Sequence, residues 1–124
     1  MLEKQVSDLK VRRVLVNNIN AVIVQGECDI CSAQLLKDML ADVINEGHNK
    51  LIVDVKGLQC IDNSGLAAIL WARHKIEENG GKMVVVGLGS IFRRKVSPIN
   101  NLFNVAFSIR EALWNLSDKS LGFK

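Results

Sequence analysis

An α/β fold built on a small, mixed and mainly parallel sheet of four to five strands is predicted by three features of this sequence. Short β-branched runs alternate along the chain with segments whose apolar residues recur at helical spacing. The first two runs are separated by an asparagine-rich turn too short for a crossover, which makes them an antiparallel hairpin at one edge of the sheet. The 124 residues can build one sizeable core but not two, so residues 1–124 are read as a single domain.

The elements follow in order. The runs VRRVLV, from Val11 to Val16, and AVIVQGE, from Ala21 onward, form the hairpin around Asn17-Asn18-Ile19-Asn20. From Cys31 to Glu46, the residues Leu35, Leu36, Met39, Leu40, Val43 and Ile44 trace one helical face, and Gly47 closes it as a C′ residue. Leu51-Ile52-Val53-Asp54-Val55 reads as a buried strand. A second helix covers Leu66 to Glu78 and stops at Asn79-Gly80-Gly81. Met83 to Val86 is the next strand, closed by Gly87-Leu88-Gly89. Ser90 to Ser97 is read as a short helix capped by Ser90 and ended by Pro98. A brief strand around Asn104 to Phe107 follows. Ser108 then caps a last helix through Ala112, Leu113 and Leu116, with Glu111 completing a capping box. The tail, residues 118–124, is read as loose. Strand–helix alternation implies right-handed crossovers, and such sheets place their working sites outside the carboxyl ends of their strands. Gln59 to Gly65 leaves the strand at 51–55 from that end.

Composition narrows the function classes. At 48% hydrophobic and 23% charged residues the chain has a soluble globular mix. The net charge of +3 has one tight cluster, Arg93-Arg94-Lys95, read as a solvated face that can attract an acidic partner. With no tyrosine and few other aromatics, direct nucleic-acid binding is not expected. No apolar run approaches the roughly 20 residues of a membrane span, and MLEKQVSDLKVRR has no signal-peptide pattern. Three cysteines do not suit a disulfide framework, which points to a reducing cytoplasm.

Ile61-Asp62-Asn63-Ser64-Gly65-Leu66 sets a serine at the mouth of the second helix. As a nucleophile Ser64 would need a histidine base, and neither His48 nor His74 is placed to serve. His48 falls at the opposite end of the sheet, and His74 is ~15 Å farther along the same helix. The Gly-x-Ser-x-Gly elbow is also absent. Gly87-Leu88-Gly89-Ser90 fits a phosphate cradle poorly, because Phe92 stands where the third glycine belongs. As a helix cap Ser64 is well suited, with Gly65 easing the turn. On a helical wheel Leu66, Ile69, Leu70 and Ile76 span an arc of about 120°, taken as the core stripe; Arg73 falls within that arc, its long stem able to run along the apolar edge. Ser64, Ala68, Trp71 and Lys75 lie within about 60° of one another on roughly the opposite face, which reads either as a docking surface or as a face whose Trp71 packs under a neighbouring loop.

Taken together, Gly26-Glu27-Cys28-Asp29, the strand Leu51 to Val55, Ile61-Asp62-Asn63-Ser64-Gly65-Leu66 and Asn79-Gly80-Gly81-Lys82 resemble the STAS domain family. Within it they most resemble the stand-alone bacterial anti-sigma factor antagonists, over roughly residues 11–117. The resemblance implies a small, partly parallel sheet with helices packed mainly on one face. It implies a protein that acts by binding, not an enzyme, and that needs no cofactor. Its partner would be an anti-sigma factor that is also a serine kinase, with a PP2C-type phosphatase reversing the modification. Weak self-association is a further possibility. Carried across, the phosphorylated residue is Ser64, Asp62 is the motif acid, and Asn63 stands where many members have serine or threonine. The implied partner surface comprises Asp62, Asn63, Ser64, Gly65, Ala68, Trp71 and Lys75, with Asp29 at the preceding strand end.

Two other readings stay open at this level. The domain could be a scaffold or accessory subunit of a larger assembly, stressosome-like or associated with lipid transport. Cys28-Asp29-Ile30-Cys31 could be a redox motif whose thiol pKa is lowered by a helix N-terminus, or with Cys60 could contribute to a metal site. Asp29 and Asp54 are read as structural acids that cap or pair locally.

Overall fold

The computed structural model describes residues 2–88 and 102–117. Strands β1 (Leu2–Val6), β2 (Leu9–Val16) and β3 (Ile19–Cys28) lead into helix α1 (Ala33–Asn45). Strand β4 (Lys50–Ile61), helix α2 (Asn63–Glu78), strand β5 (Lys82–Val86), strand β6 (Val105–Ala106) and helix α3 (Ile109–Leu116) complete the order. The strands form one six-stranded sheet in sequence order, β1-β2-β3-β4-β5-β6. Pairs β1/β2 and β2/β3 are antiparallel, and β3/β4, β4/β5 and β5/β6 are parallel.

The expected hairpin is present, with a tighter turn. Asn17 and Asn18 alone make it, with φ of 51° and 65°, while Ile19 and Asn20 already belong to β3. Two consecutive positive-φ residues match the right-handed twist of the flanking strands, and asparagine adopts that conformation more readily than most residues. The sheet has six strands instead of four to five because a second hairpin adds β1, Leu2 pairing with Arg13 and Val6 with Leu9. Every residue of β1 is exposed, so it carries no burial pattern from which a strand could be read. The last strand is shorter than expected, at Val105–Ala106, and the expected helix at Ser90 to Ser97 lies outside the described residues.

Period-two alternation divides the core between the two sheet faces. Leu51 and Val53 of β4, with Val22, Val24, Met83 and Val85, point toward α1 and α2. Ile52, Ala21, Val84 and Val86 point the other way, where Ala112 and Leu116 of α3 cover them. Among the described residues two helices thus pack on one face and one on the other. The central strand β4 is buried on both sides, which explains its unbroken apolar run.

β4 continues to Ile61 where the sequence suggested an end at Val55. It stays paired with β3 through register shifts between Ile23 and Gln25 and between Gly26 and Glu27, so that Gln25 faces Gly57 and Cys28 faces Ile61. Gly26 makes the second irregularity possible, since its φ of 99° is costly for any other residue. As a result β3 and β4 end side by side, each followed by a helix.

Candidate binding site at the carboxyl ends of β3 and β4

The two strand ends are tied by the Asp62 N–H, which donates to the Cys28 carbonyl at 3.0 Å. Each strand then turns into its helix through an aspartate. At the first junction Asp29 Oδ1 accepts from the N–H of Cys31 at 2.9 Å and of Ser32 at 3.2 Å, and from the Ser32 hydroxyl at 3.1 Å. At the second, Asp62 Oδ1 accepts from the N–H of Ser64 at 2.9 Å and of Gly65 at 3.2 Å.

This corrects the capping assignment. The cap of α2 is Asp62, whose φ of −96° and ψ of −173° continue the extended strand, and α2 starts at Asn63 instead of Leu66. A capping side chain must come from the last extended residue, because only there can it fold back onto the N–H groups two and three positions on. Asn63 is already helical, so Ser64 lies too far along to cap. The Ser64 side chain is half-buried, and its hydroxyl has no hydrogen-bond partner among the described residues.

Gly65 also has a different role from the one expected. A Cβ here would sit 2.5 Å from Ile61 Cγ1 and 2.8 Å from Cys28 Sγ. The glycine lets the first turn of α2 close onto the ends of β3 and β4, which fixes the height of Ser64 above the sheet.

The outward face read from the wheel is rotated in the structure. The core-facing residues of α2 are Gly65, Ala68, Ile69, Ala72 and Ile76. Ala68 is therefore buried, at 5% exposure, and is not part of an open surface. Leu66 and Leu70 are only half-buried on one flank, and Trp71 is half-buried on the other, packed against the core. Small residues lie innermost because α2 approaches α1 and the sheet closely. A wheel weighted by large apolar residues places the stripe toward Leu66 and Leu70 instead. Lys75 is exposed and lies 3.7 Å from Glu78, and Asn63 is exposed beside the cap.

On its Ser64 flank α2 faces α1 across a shallow groove of about 220 Å³, lined by Ala33, Gln34 and Lys37 from α1, by Ser64, Ala67 and Ala68 from α2, and by Ile30 at its mouth. Ile30 is 78% exposed, an unusual state for isoleucine. The Lys37 ammonium lies over the Trp71 ring, 4.9 Å from its centroid. Sequence reasoning missed both Ile30 and Lys37. Ile30 was legible as the apolar residue inside Cys28-Asp29-Ile30-Cys31, whereas Lys37 joins the site only through the packing of α1 on α2.

The first cysteine of the Cys28–Cys31 motif is not set up as a thiolate. Cys28 is buried, and burial followed by the Asp62 and Asp29 carboxylates pushes its thiol up to about 11. Desolvation, with Glu27, Asp29 and Asp62, raises Cys60 as well. These shifts oppose the thiolate, the reverse of what a helix N-terminus was expected to do. Among the described residues no cluster of three or more His, Cys, Asp or Glu is arranged to hold a metal ion. His48 lies by the far end of the sheet beside Glu46 and Arg13, and His74 is exposed on α2. Asp54 is buried, accepts from the Lys56 N–H at 3.0 Å and has the Lys56 ammonium at 4.0 Å, a local structural role.

Comparison with known proteins agrees with the architecture. The STAS domain family matches residues 11–115. The anti-sigma-F factor antagonist RsfB of Mycobacterium tuberculosis is 23% identical over 99 residues, covering 78% of this chain and 80% of that protein. The crystal structure of an anti-sigma factor antagonist from Mycobacterium paratuberculosis superposes with a TM-score of 0.78 at 20% identity, covering 89% of this chain and 95% of that one. The Bacillus cell fate determinant SpoIIAA in its phosphorylated form superposes with a TM-score of 0.66 at 16% identity, covering 88% and 99%. With the family match spanning most of its length, the chain belongs to the STAS domain family.

Proposed function

We propose that this protein is an anti-sigma factor antagonist that binds an anti-sigma factor through the α1–α2 end of the sheet and is switched off by phosphorylation of Ser64. The observation that carries the reading is the division of labour at the start of α2. Asp62 holds the helix N-terminus, and the Ser64 hydroxyl beside it has no bond to lose among the described residues. A serine relieved of structural duty, half-buried at the edge of a groove, can change chemistry without unfolding its host. The names of the relatives support the same reading: RsfB is an anti-sigma-F factor antagonist, and SpoIIAA has a phosphorylated form.

The switch follows from electrostatics. A kinase partner would transfer the γ-phosphoryl group of ATP to Ser64 Oγ. The Oγ–P bond forms, the bond from the γ-phosphorus to the β,γ-bridging oxygen breaks, ADP leaves, and the hydroxyl proton passes to a base of the kinase. The product carries about −1.5 to −2 charges at pH 7, beside the Asp62 carboxylate. A partner surface shaped for an uncharged hydroxyl would reject that charge with its hydration shell. A PP2C-type phosphatase would restore the binding form. Ile30, Asn63, Ser64 and the exposed part of Trp71 would form the contact surface, with Asp29, Asp62 and Lys75 at its rim. Gly65 and Ala68 would support it from beneath. The setting for this exchange would be the cytoplasm; no helix of the described residues is long and apolar enough to cross a membrane.

Incubation with candidate serine kinases and ATP, followed by mass mapping, tests the reading. A single phosphate on Ser64, lost in Ser64→Ala, is expected. Modification at another serine only, or none with any kinase that binds the protein, would refute it.

A further inference from the structure

Lys37 faces two groups across the α1–α2 groove. Its side chain lines the groove together with Ser64, and its ammonium rests on the Trp71 ring at 4.9 Å. No carboxylate lines the groove, and Lys37 makes no ion pair among the described residues. Its charge is therefore matched only by the indole face, a weaker counterpart than an anion. Lys75, the other lysine of this face, lies close to Glu78.

A phosphoryl group on Ser64 would lack its nearest donors. The N–H groups of Ser64 and Gly65, which would otherwise turn toward an anion at a helix start, are occupied by Asp62 Oδ1. Asp62 and Asp29 add negative charge at the same end. Among the described residues Lys37 is the cation that lines the groove with Ser64. We infer that Lys37 acts as an internal reader of Ser64 phosphorylation, leaving the face of Trp71 to pair with the phosphoryl group and uncovering the indole as it does so. The modification thus alters the docking surface twice, by adding charge at Ser64 and by removing the cation from Trp71. This inference rests on Ser64 being the modified residue, but it needs no particular kinase.

The experiment places phosphoserine at position 64 during translation, in a Trp114→Phe background that leaves Trp71 as the sole indole. ³¹P NMR then follows the second ionisation of the phosphate, whose ordinary pKa is about 6. Lys37→Gln is expected to raise that pKa by about one unit, Lys37→Arg to keep it low, and Lys75→Gln to leave it unchanged. Phosphorylation is expected to shift Trp71 emission to the red in the Lys37 protein and not in Lys37→Gln, with far-UV circular dichroism the same for all. A phosphate pKa insensitive to Lys37→Gln, an equal response to Lys75→Gln, or failure of Lys37→Arg to retain the low value would each overturn the assignment. Those outcomes are independent of whether any kinase modifies Ser64, so loss of this inference and loss of the switch reading are told apart.

Discussion

Replacing Asp62 and Ser64 one at a time separates structure from switching at this helix start. In Asp62→Ala the N–H groups of Ser64 and Gly65, now bonded at 2.9 and 3.2 Å, lose their acceptor. The first turn of α2 also loses a carboxylate favourably placed on the helix dipole. Loss of an N-cap costs typically about 1 kcal/mol and up to about 2. Two bonds to one ionised oxygen place Asp62 in the upper half of that range, about 1.5 kcal/mol. For a domain of this size the unfolding entropy turns this into a fall in Tm of roughly 4–6 °C. Ser64→Ala deletes a hydroxyl with no partner among the described residues, so its effect is expected within about 0.5 kcal/mol. Urea titration of both variants, with unchanged m-values, measures the difference. If Ser64→Ala is as destabilising as Asp62→Ala, the hydroxyl is a structural cap and the division of labour proposed for this turn is wrong.

Gly65→Ala sets a methyl against Ile61 and Cys28 and should cost about 1–3 kcal/mol by chemical denaturation, although alanine is the better helix former. Ile30→Ala removes exposed apolar surface only, so stability should hold within about 0.5 kcal/mol while anti-sigma factor binding weakens in calorimetry. Thiol titration of the native protein near pH 8 should label exposed Cys31 first and buried Cys28 only on unfolding, in keeping with a Cys28 pKa of about 11. At the far end of the sheet the Arg13 guanidinium, bonded to Glu46 at 2.9 and 2.6 Å, holds that carboxyl at about 2. Because the folded-state value is depressed, the stabilisation is present above the ordinary carboxylate range and is lost as pH falls toward 2. Side-chain NMR of Arg13→Met should find the Glu46 titration moved up, with partner binding intact.

How much could be read from sequence varied with the kind of signal. The hairpin, the three described helices and the parallel core strands were legible because each repeats its pattern over many residues, as in Leu36, Met39, Leu40 and Val43 on α1. The cap of the last helix was legible from two residues: Ser108 Oγ accepts from the Glu111 N–H at 3.1 Å as expected, whereas the Glu111 carboxylate reaches one residue farther back, to the Phe107 N–H at 3.2 Å, instead of completing the box on Ser108. β1 was not legible, because LEKQV buries nothing and owes its strand form to pairing with β2. The continuation of β4 past Val55 was hidden by Lys56-Gly57, which reads as a turn until β3 supplies a matching irregularity.

Within the candidate site, the motif Asp62-Asn63-Ser64-Gly65 marks the junction of β4 and α2. On sequence Ser64 reads as the cap, and the backbone angles give that place to Asp62, two residues earlier. Ala68 and Trp71 were misplaced for a related reason. A wheel gives directions relative to the helix itself, whereas the core side of α2 is set by how closely Gly65, Ala68 and Ala72 let it approach its neighbours. Lys37 could not have been found from α2 at all, since its place over Trp71 and beside Ser64 depends on the packing of α1 against α2.

The central claim is that the state of Ser64 sets partner affinity without disturbing the fold. Its most direct test is a calorimetric titration of an anti-sigma factor into the unmodified protein and into protein carrying phosphoserine at position 64, with melting curves for both. The account expects Kd to rise by about 100-fold, equivalent to about 2.7 kcal/mol, while Tm stays within about 2 °C. Equal affinity for the two forms, or a loss of binding that tracks a loss of stability, would contradict it.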